Sequence, residues 1–395
     1  MTVEVSSHSS RSQAVWWREE RFRSLAVQVV AVTLVVAVFA FFAYNASVNM
    51  ARQGIASGFG FLWREAGFGI GTSTIEYSPA DTYGRALLVG LLNTLMVAGI
   101  GCVLTTILGT LLGIARLSSN LLVRQITLWY IEIMRNTPLL IQLLIWWDVL
   151  RIGAPGPREA WQILPSVFIS NRGLAFPVLE WHDAFLWVVA AFLVGILATV
   201  TVARWAKARR ERTGQPFHTG WVGAALIILP ALLVYVALGA PAKVDAPKLA
   251  GFNFEGGESI TPEFAALLFG LVAFTSAFVA EIVRGGIQAV SWGQTEAAAA
   301  LGLRRGQVLR LVVLPQAIRV IIPPMTSEYL SLTKNSSLAV FIGFQELTSI
   351  ANTTLNQTGQ AVEGITILMA VYLTISLAIS VCMNWFNRYV ALVDR

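Results

Sequence analysis

Long apolar stretches recur along this 395-residue chain and constrain its fold more than any other feature. A helix needs roughly 20 apolar residues to cross a lipid bilayer, and these stretches have about that length. Seven are clear, at residues 25–44, 86–114, 125–150, 185–203, 220–239, 264–283 and 365–387. Only 13% of the residues are charged, against roughly 25% in soluble domains, which excludes a soluble globule and a disordered chain. The predicted fold class is therefore an all-α integral membrane protein.

An eighth stretch, 324–343, is weaker because Glu328, Lys334 and three polar residues after Lys334 interrupt it. We count it as a span, which gives about eight transmembrane helices. The alternative is that 308–322 crosses instead. That segment has only fifteen residues and contains Arg310, Arg319 and Pro315, so we predict an interfacial or buried helix there.

Basic residues are distributed unequally between the two sides that eight spans would define. Eighteen Lys and Arg residues fall on the side of the termini and eight on the other side, with Arg135 and Lys334 inside spans. Cytoplasmic loops are enriched in basic residues, so both termini are predicted to be cytoplasmic. The same rule explains the net charge of +6 without a nucleic-acid partner. Two cysteines within apolar stretches and three isolated histidines predict neither a disulfide nor a metal site.

The inner connection at 284–323 carries the sharpest local pattern. Thr295 is predicted to cap a short helix of Glu296 and four alanines, and Gly302 to end it. A second amphipathic stretch follows and is expected to break at Pro315. The result would be a compact helical knob whose small side chains fit a groove in a partner, with Glu296 as an anchoring charge. Composition alone leaves an ordinary helical loop open as the alternative.

The spacing within this knob is more specific than its composition. Three residues separate Glu296-Ala297-Ala298 from Gly302, and nine more separate Gly302 from Val312. One residue then lies between Val312 and Leu314-Pro315. This pattern resembles the EAA loop of type I ABC importer permeases. Further segments resemble the polar amino acid (His/Glu/Gln/Arg/opine) permeases, namely Ala280 to Gly286, Leu314 to Ala317, Arg135 to Pro138 and Asn93 to Leu95.

The resemblance covers about 84–150 and 263–392, and it implies a five-helix permease core. Residues 84–150 would form core helices 1 and 2, and 263–395 would form core helices 3 to 5. Residues 1–83, with a cytoplasmic tail, an extra first helix and a periplasmic segment, depart from the minimal pattern. So does 151–262, with a periplasmic loop and an inserted helix pair. Both additions resemble the longer Q-type permease of general L-amino-acid importers.

This resemblance implies partners and residue roles. The knob would dock on a separate ABC ATPase through Glu296, Ala297, Ala298 and Gly302, with Leu314 and Pro315 completing the motif. A periplasmic substrate-binding protein would deliver an L-amino acid to the outer segments 45–83, 151–183, 240–262 and 345–364. A second homologous permease, or a second copy of this chain, would complete the pathway in the bacterial inner membrane, surrounded by lipid.

ATP binding is not expected in this chain. None of its four lysines lies in the G-x-x-x-x-G-K-[ST] sequence of a phosphate-binding loop. We therefore expect no cofactor here and no enzymatic activity of its own, with ATP and Mg²⁺ bound by the ATPase partner. The competing class is a secondary transporter driven by an ion gradient, but such proteins usually contain inverted repeats and interrupted helices in matching halves. This sequence shows neither clearly.

Polar residues inside the apolar stretches are candidates for the pathway, because each ionisable group there costs about 2.5 to 3.5 kcal/mol on insertion. Glu132 and Arg135 are three residues apart and are predicted to neutralise each other, with Pro138 kinking their helix. Hydrogen bonding between helices remains the alternative role for every candidate. The candidates for contact with substrate are Asn93, Arg135, Gln142, Lys334, Asn335 and Ser336.

Overall fold

The computed structural model describes residues 20–54, 57–180, 182–215, 217–239 and 243–390, with no side-chain description at 20–22 and 184. The tail that carries Arg11 and Arg18, and Arg395 at the other end, lie outside the described residues. The helices are α1 Glu20–Arg52, α2 Tyr83–Arg116, α3 Leu121–Asn136, α4 Leu139–Ile152, α5 Ala184–Thr213, α6 Thr219–Ala237, α7 Pro262–Gln288, α8 Trp292–Ala300, α9 Arg305–Val308, α10 Leu314–Asn335, α11 Leu347–Thr358 and α12 Ala361–Val390.

Seven helical segments are long and apolar enough to cross a membrane. They are Arg23–Arg52, Tyr83–Arg116, Phe185–Thr213, Thr219–Ala237, Pro262–Gln288, Arg305–Ile342 and Ala361–Val390. These helices agree with the predicted membrane fold, and they differ from the eight predicted spans at two places.

The first difference is that 125–150 is two helices and not one span. The chain breaks at Thr137 and Pro138, because proline has no amide hydrogen and its ring clashes with the preceding turn. Helices α3 and α4 nevertheless follow one another along α7, and both run antiparallel to it. Tyr130 of α3 donates to the Ala273 carbonyl at 2.9 Å, and Trp147 of α4 lies 3.4 Å from the Glu263 carboxylate. Together they follow the length of α7, so α3 and α4 take the place of the predicted crossing.

The second difference concerns 308–322, which is not the separate helix that we predicted. One helical segment runs from Arg305 to Ile342, through a π turn at Leu309–Val313, α10 and a 3₁₀ turn at Ser336–Ile342. Pro315 does not break it, since this proline lies in the first turn of α10 directly after the π turn. A π turn widens the helix, which relieves the contact between the proline ring and the preceding turn.

Helices α2 and α7 form the centre of the membrane region through very close packing. A Cβ atom added at Gly109 would lie 2.5 Å from Cγ1 of Val279, and one added at Gly113 would lie 2.8 Å from the Ala280 carbonyl oxygen. Glycines four residues apart let two helix backbones approach in this way. The packed pair of α2 and α7 therefore supports the candidate functional site at both of its ends.

At the end of the molecule opposite α8, the predicted loop 151–183 and the segment before α7 form small β-sheets. The strands are β1 Trp161–Leu164, β2 Val167–Ser170, β3 Gly173–Phe176, β4 Val178–Leu179, β5 Val244–Asp245, β6 Lys248–Ala250, β7 Asn253–Glu255 and β8 Glu258–Ile260. One antiparallel sheet has the order β1-β2-β3-β8, and β4-β5 and β6-β7 form two-stranded sheets. Leu174 pairs with Ile260 in the register of the larger sheet. The all-α prediction therefore holds for the membrane region but not for this end, which we call the sheet end.

Residues 57–82 also lie at the sheet end, where they pack on α2, α11 and α12. Phe61 and Ala66 are buried together with Leu347 and Ile350. The carboxylate of Glu363 accepts a hydrogen bond from the Gly58 amide at 2.5 Å. This segment is thus fixed to the core by hydrophobic burial and by hydrogen bonds to the start of α12.

Candidate coupling surface and translocation pathway

The predicted knob is present as α8, although it begins earlier than expected. Ser291 precedes its first residue, and Thr295 lies inside the helix and does not cap it. The indole of Trp292 donates to the Glu296 carboxylate at 2.8 Å, one helical turn further on. Glu296 is therefore held in place on the exposed face of α8.

The alanines of the motif have different environments. Ala297 is exposed, whereas Ala298 is 4% exposed and packs against Val308 and Val313 of the same chain. The resemblance implied that Ala298 contacts the ATPase, but its burial shows that it fixes α8 to the following segment. Gly302 is exposed with φ of 78°, a left-handed conformation that glycine adopts without strain.

Two large apolar side chains on the knob were not identified from the sequence. Trp292 is 73% exposed and Leu301 is 83% exposed. They lie at the two ends of α8, on either side of Glu296. Isolated exposed apolar residues are common, but both of these side chains are open to contact with a partner.

The base of the knob is connected to α2 and α7 by charge. The Arg284 guanidinium donates to the Glu281 carboxylate at 2.6 Å, near the end of α7 that leads to α8. Arg116 at the end of α2 lies 4.0 Å from the same carboxylate. On the other side of the knob, Leu314 and Pro315 are half-buried in the first turn of α10. The end of α7 that leads to α8 is thus joined to α2 by charge, and α8 itself packs on the segment before α10.

Asn93 and Gln142 are buried and bind backbone carbonyls. The Asn93 amide donates to the carbonyls of Thr72 and Gln345, both at 2.8 Å. The Gln142 amide donates to Met134 at 2.9 Å and Thr137 at 3.0 Å, next to the break between α3 and α4. Both side chains satisfy backbone groups that have no helical partner.

Arg135 has a different environment from the one predicted. Its guanidinium lies 5.3 Å from the ring centroid of Phe278, and it is close enough to Glu328 of α10 to interact electrostatically. Glu132, its predicted partner, instead accepts a hydrogen bond from Asn136 at 3.0 Å. No ion pair joins Glu132 and Arg135 in the described part of the chain. Sequence spacing within one helix could not identify Glu328, because it lies on another helix.

The remaining candidates lie at the end of α10. Lys334 is exposed, Asn335 is half-buried, and Ser336 is fully buried with its hydroxyl donating to the Thr333 carbonyl at 2.7 Å. Ser327, Ser331 and Lys334 are all exposed. Their spacing of four and three residues places them on one face of α10. Glu328 is partly exposed beside this face, so α10 presents a polar stripe at membrane depth.

A buried carboxylate closes the sheet end of this region. Glu346 is 0% exposed, and it accepts hydrogen bonds from Thr94 of α2 at 3.2 Å and Tyr372 of α12 at 3.0 Å. It also accepts the Ser349 amide at 2.9 Å, at the start of α11. Burial raises the pKa of Glu346, and the hydrogen bonds oppose that shift. This residue joins three helices and was not identified from the sequence.

Within the described residues there is no group of three or more His, Cys, Asp and Glu side chains that could hold a metal ion. The features that the structure brings together are an exposed knob, a polar stripe on α10 and Arg135 beside it. A helical membrane region with an EAA-type knob defines the membrane permease subunits of ABC transporters.

Comparison with known proteins shows the family. Residues 222–392 match the family described as binding-protein-dependent transport system inner membrane component. The chain is 48% identical to the general L-amino acid transport system permease protein AapQ of Rhizobium johnstonii, over 95% of this chain and 94% of that protein. It is 47% identical to the putative amino-acid ABC transporter permease protein YhdX of Escherichia coli, over 94% and 95%. The chain belongs to this family of multi-pass inner membrane permeases.

A third relative is 40% identical over 95% of this chain and 96% of its own length. It is the glutamate/glutamine/aspartate/asparagine transport system permease protein BztB of Rhodobacter capsulatus. Among solved structures, an amino acid ABC transporter aligns with 22% identity, a TM-score of 0.46 and coverage of 78% of this chain and 95% of that chain. The MetNI methionine ABC transporter aligns with 13% identity and the same TM-score, covering 78% and 98%.

Proposed function

We propose that this permease subunit carries L-amino acids inward across the bacterial cytoplasmic membrane. The observation that carries the proposal is the polar surface formed by Arg135 and α10. It presents a guanidinium at Arg135, a carboxylate at Glu328 and an ammonium at Lys334. Side chains of both charges can bind the carboxylate and the ammonium of a zwitterion. The names of AapQ, YhdX and BztB, all amino acid permeases, support the same substrate class.

A second permease subunit covers this surface. Charged groups inside a membrane cost about 2.5 to 3.5 kcal/mol each when inserted, so Arg135 and Lys334 must face a protein partner or a water-filled cavity. A homologous permease, or a second copy of this chain, provides the opposite wall of the pathway. Asn335 and Ser336 lie beside Lys334 and would shape the same wall, whereas Asn93 and Gln142 support it from behind.

The knob couples this pathway to ATP. Glu296, Ala297, Gly302, Trp292 and Leu301 form its exposed surface, which seats in a groove of a separate ATPase subunit. That subunit binds ATP and Mg²⁺, and its closure moves α8 and, through Leu314 and Pro315, α10. Because α10 carries the polar stripe, its movement opens the pathway to one side of the membrane and then to the other, which is alternating access.

The sheet end faces the periplasm in this proposal. The segments 45–83, 151–183, 240–262 and 345–364 receive the substrate-binding protein there, and both termini lie in the cytoplasm. A self-contained secondary transporter is not favoured, since the relatives are permease subunits of ABC systems and α8 would have no role.

The pathway is tested by amino acid uptake into vesicles that contain the purified complete transporter. Arg135→Ala and Lys334→Met should each lower ATP-driven uptake on the order of tenfold, because each removes a charge that binds substrate. Assembly should not change, since Lys334 is exposed and makes no ion pair in the described chain. Arg388→Ala, an exposed cation near the end of α12, is the matched control. Normal uptake by both pathway variants would refute the assignment.

Coupling is tested separately by measuring uptake and ATP hydrolysis together. Glu296→Ala and Gly302→Leu should reduce uptake on the order of tenfold while membrane insertion continues. Gly302→Leu forces a side chain into a left-handed backbone conformation. Gly306→Leu, four residues further on, has open space and no positive φ, so it controls for the added side chain. The coupling role is excluded if Glu296→Ala and Gly302→Leu transport as fast as Gly306→Leu.

A further inference from the structure

A basic cavity lies at the turn between α5 and α6. Between residues 204 and 219 the chain has five Lys and Arg residues and one acidic residue, Glu211. Lys207 and Arg210 line a cavity of about 220 Å³ together with Phe217 and Thr219. The rule that basic residues stay in the cytoplasm explains the charge of this turn. It does not explain why two of these side chains border the same cavity.

Two tryptophans place this cavity at the membrane surface. Trp205 on α5 is 53% exposed and Trp221 on α6 is 82% exposed. Exposed tryptophan is enriched at the depth of the lipid headgroups. Helix α5 continues to Thr213, ten residues beyond its apolar stretch at 185–203, or roughly 15 Å. Lys207 and Arg210 therefore lie at or just outside the headgroup layer.

Aromatic packing fixes one wall of the cavity. The rings of Trp205 and Phe217 meet edge to face with centroids 5.4 Å apart, and Arg209 lies 5.5 Å from the Trp205 ring. Gly214 ends α5 with φ of 71°, which turns the chain sharply toward α6. These contacts engage Arg209 and fix Phe217 as one wall, and they leave Lys207 and Arg210 available to a ligand.

Neither Lys207 nor Arg210 forms an ion pair among the described residues, where the three ion pairs all lie elsewhere. The first turn of α6 begins at Thr219, on the wall of the cavity. Its amides add a partial positive charge to the two side chains. The electrostatics of the cavity thus favour an anion.

The surroundings of the hairpin favour an anion that is part of a lipid. Helices α5 and α6 pack tightly, with Thr199 donating to the Gly223 carbonyl at 3.2 Å and Gly195 close to the Leu226 carbonyl. In the described structure neither helix packs comparably against any other helix. Apolar side chains such as Leu197, 66% exposed, and Leu233, 68% exposed, cover its outer faces. Acyl chains can follow these faces directly away from the cavity.

We propose that this cavity binds the phosphate of an anionic phospholipid headgroup. Arg210 provides a planar pair of donors suited to phosphate oxygens, and Lys207 provides a point charge. The Thr219 hydroxyl adds a further donor, whereas the Thr219 amide already donates to the Phe217 carbonyl at 2.8 Å. A bound lipid anchors the α5–α6 hairpin, which lacks strong contacts with the rest of the helices. This site is independent of the proposed amino acid pathway.

Native mass spectrometry of the complete purified transporter, titrated with short-chain phosphatidylglycerol, tests the site. The wild-type complex should retain one more tightly bound phosphatidylglycerol per copy of this chain than Lys207→Ala/Arg210→Ala. Each basic residue near anionic lipid contributes enough binding for the double variant to bind on the order of tenfold more weakly or worse. Lys207→Arg/Arg210→Lys keeps both charges, so it should bind more tightly than the double alanine variant.

Three controls establish whether Lys207 and Arg210 themselves hold a lipid in the cavity. Arg212→Ala removes a charge from the same run but not from the cavity lining, so it should keep the lipid. An equal loss in Arg212→Ala would show diffuse attraction and overturn the proposal. Equal retention of phosphatidylcholine, or displacement of phosphatidylglycerol by millimolar inorganic phosphate, would also overturn it. Amino acid uptake does not enter any of these measurements.

Discussion

Gln142 illustrates how a polar side chain at membrane depth can serve the backbone. Pro138 separates α3 from α4, and the carbonyls of Met134 and Thr137 next to this break both accept from the Gln142 amide. An unpaired carbonyl in hydrocarbon would cost several kcal/mol. Gln142 thus stabilises an interruption that the antiparallel path along α7 requires. Arg135, three residues before the proline, instead lies over the Phe278 ring.

Glu346 should give the protein a measurable dependence of stability on pH. Burial raises its pKa, so its contribution to stability is complete below the ordinary Glu value of about 4.3 and is lost as pH rises through the raised value. Glu346→Gln keeps a hydrogen-bond acceptor but does not titrate. The melting temperature of the wild type, minus that of Glu346→Gln, should therefore fall as pH increases. Thermal unfolding across a pH series measures this difference.

A variant that lacks one hydrogen-bond partner of Glu346 is the control for this pH dependence. Thr94→Val breaks one hydrogen bond that lowers the pKa of Glu346 but leaves the carboxyl, so the pH dependence should persist and move toward higher pH. Glu346→Ala should cost about 1 to 3 kcal/mol at every pH, because Tyr372 and the Ser349 amide lose their acceptor. A constant difference between wild type and Glu346→Gln would contradict the assignment.

At the scale of elements, the segment from Arg305 to Ile342 joins the residues that follow α8 to the polar stripe of α10 in one helical unit. Residues Leu309–Val313 form a π turn between α9 and α10. The sequence suggested two pieces because Pro315, Arg310 and Arg319 all oppose a simple transmembrane helix. The wider π turn allows the helix to continue, and the arginines fall near its α8 end. A displacement of α8 can therefore reach Lys334 along a single element.

The packing of α2 on α7 should be sensitive to one added methyl group. Gly109→Ala places a Cβ 2.5 Å from Val279, so we expect a loss of about 1 to 3 kcal/mol of stability. Gly99→Ala on the same helix meets nothing within 4 Å, and it should be neutral or slightly stabilising. Thermal unfolding of the purified variants compares them. A stabilised Gly109→Ala would be inconsistent with the close approach of the helices.

For the whole molecule, the sheets and the α5–α6 turn lie at opposite ends of the chain's path through the membrane. Helix α5 begins after β4 and ends at Thr213, and α6 returns from Thr219 to β5. The basic run 204–212 belongs to the α5–α6 turn. Because basic residues are enriched in cytoplasmic loops, this run predicts that the α5–α6 turn is cytoplasmic and the sheet end periplasmic.

Cysteine labelling of intact cells tests this orientation. In a variant with Cys102 and Cys382 replaced by alanine, Glu159→Cys should react with a membrane-impermeant maleimide, and Gln215→Cys should react only after lysis. Both positions are exposed, so access depends on the side of the membrane and not on burial. The reverse pattern would overturn the proposed orientation of the termini.

Much of this architecture could be predicted from local sequence. Six of the seven clear apolar stretches are single helices, and the knob lies where Glu296 and Gly302 indicated. The small sheets could not be predicted, because strands of two to four residues leave no periodic pattern in the sequence. The burial of Ala298 could not be predicted either, because alanine fits exposed and buried positions equally well.

The membrane class, the number of crossings to within one, and the resemblance to a family of permeases can all be read from the sequence, because apolar length and motif spacing are local properties. The contacts of each polar residue become visible only in the folded chain. Glu346 meets Thr94 from 252 positions away, and Arg135 approaches Glu328 on another helix. Hydrogen bonds and ion pairs depend on distance in space, and helix packing brings together groups whose separation along the chain carries no trace of that contact.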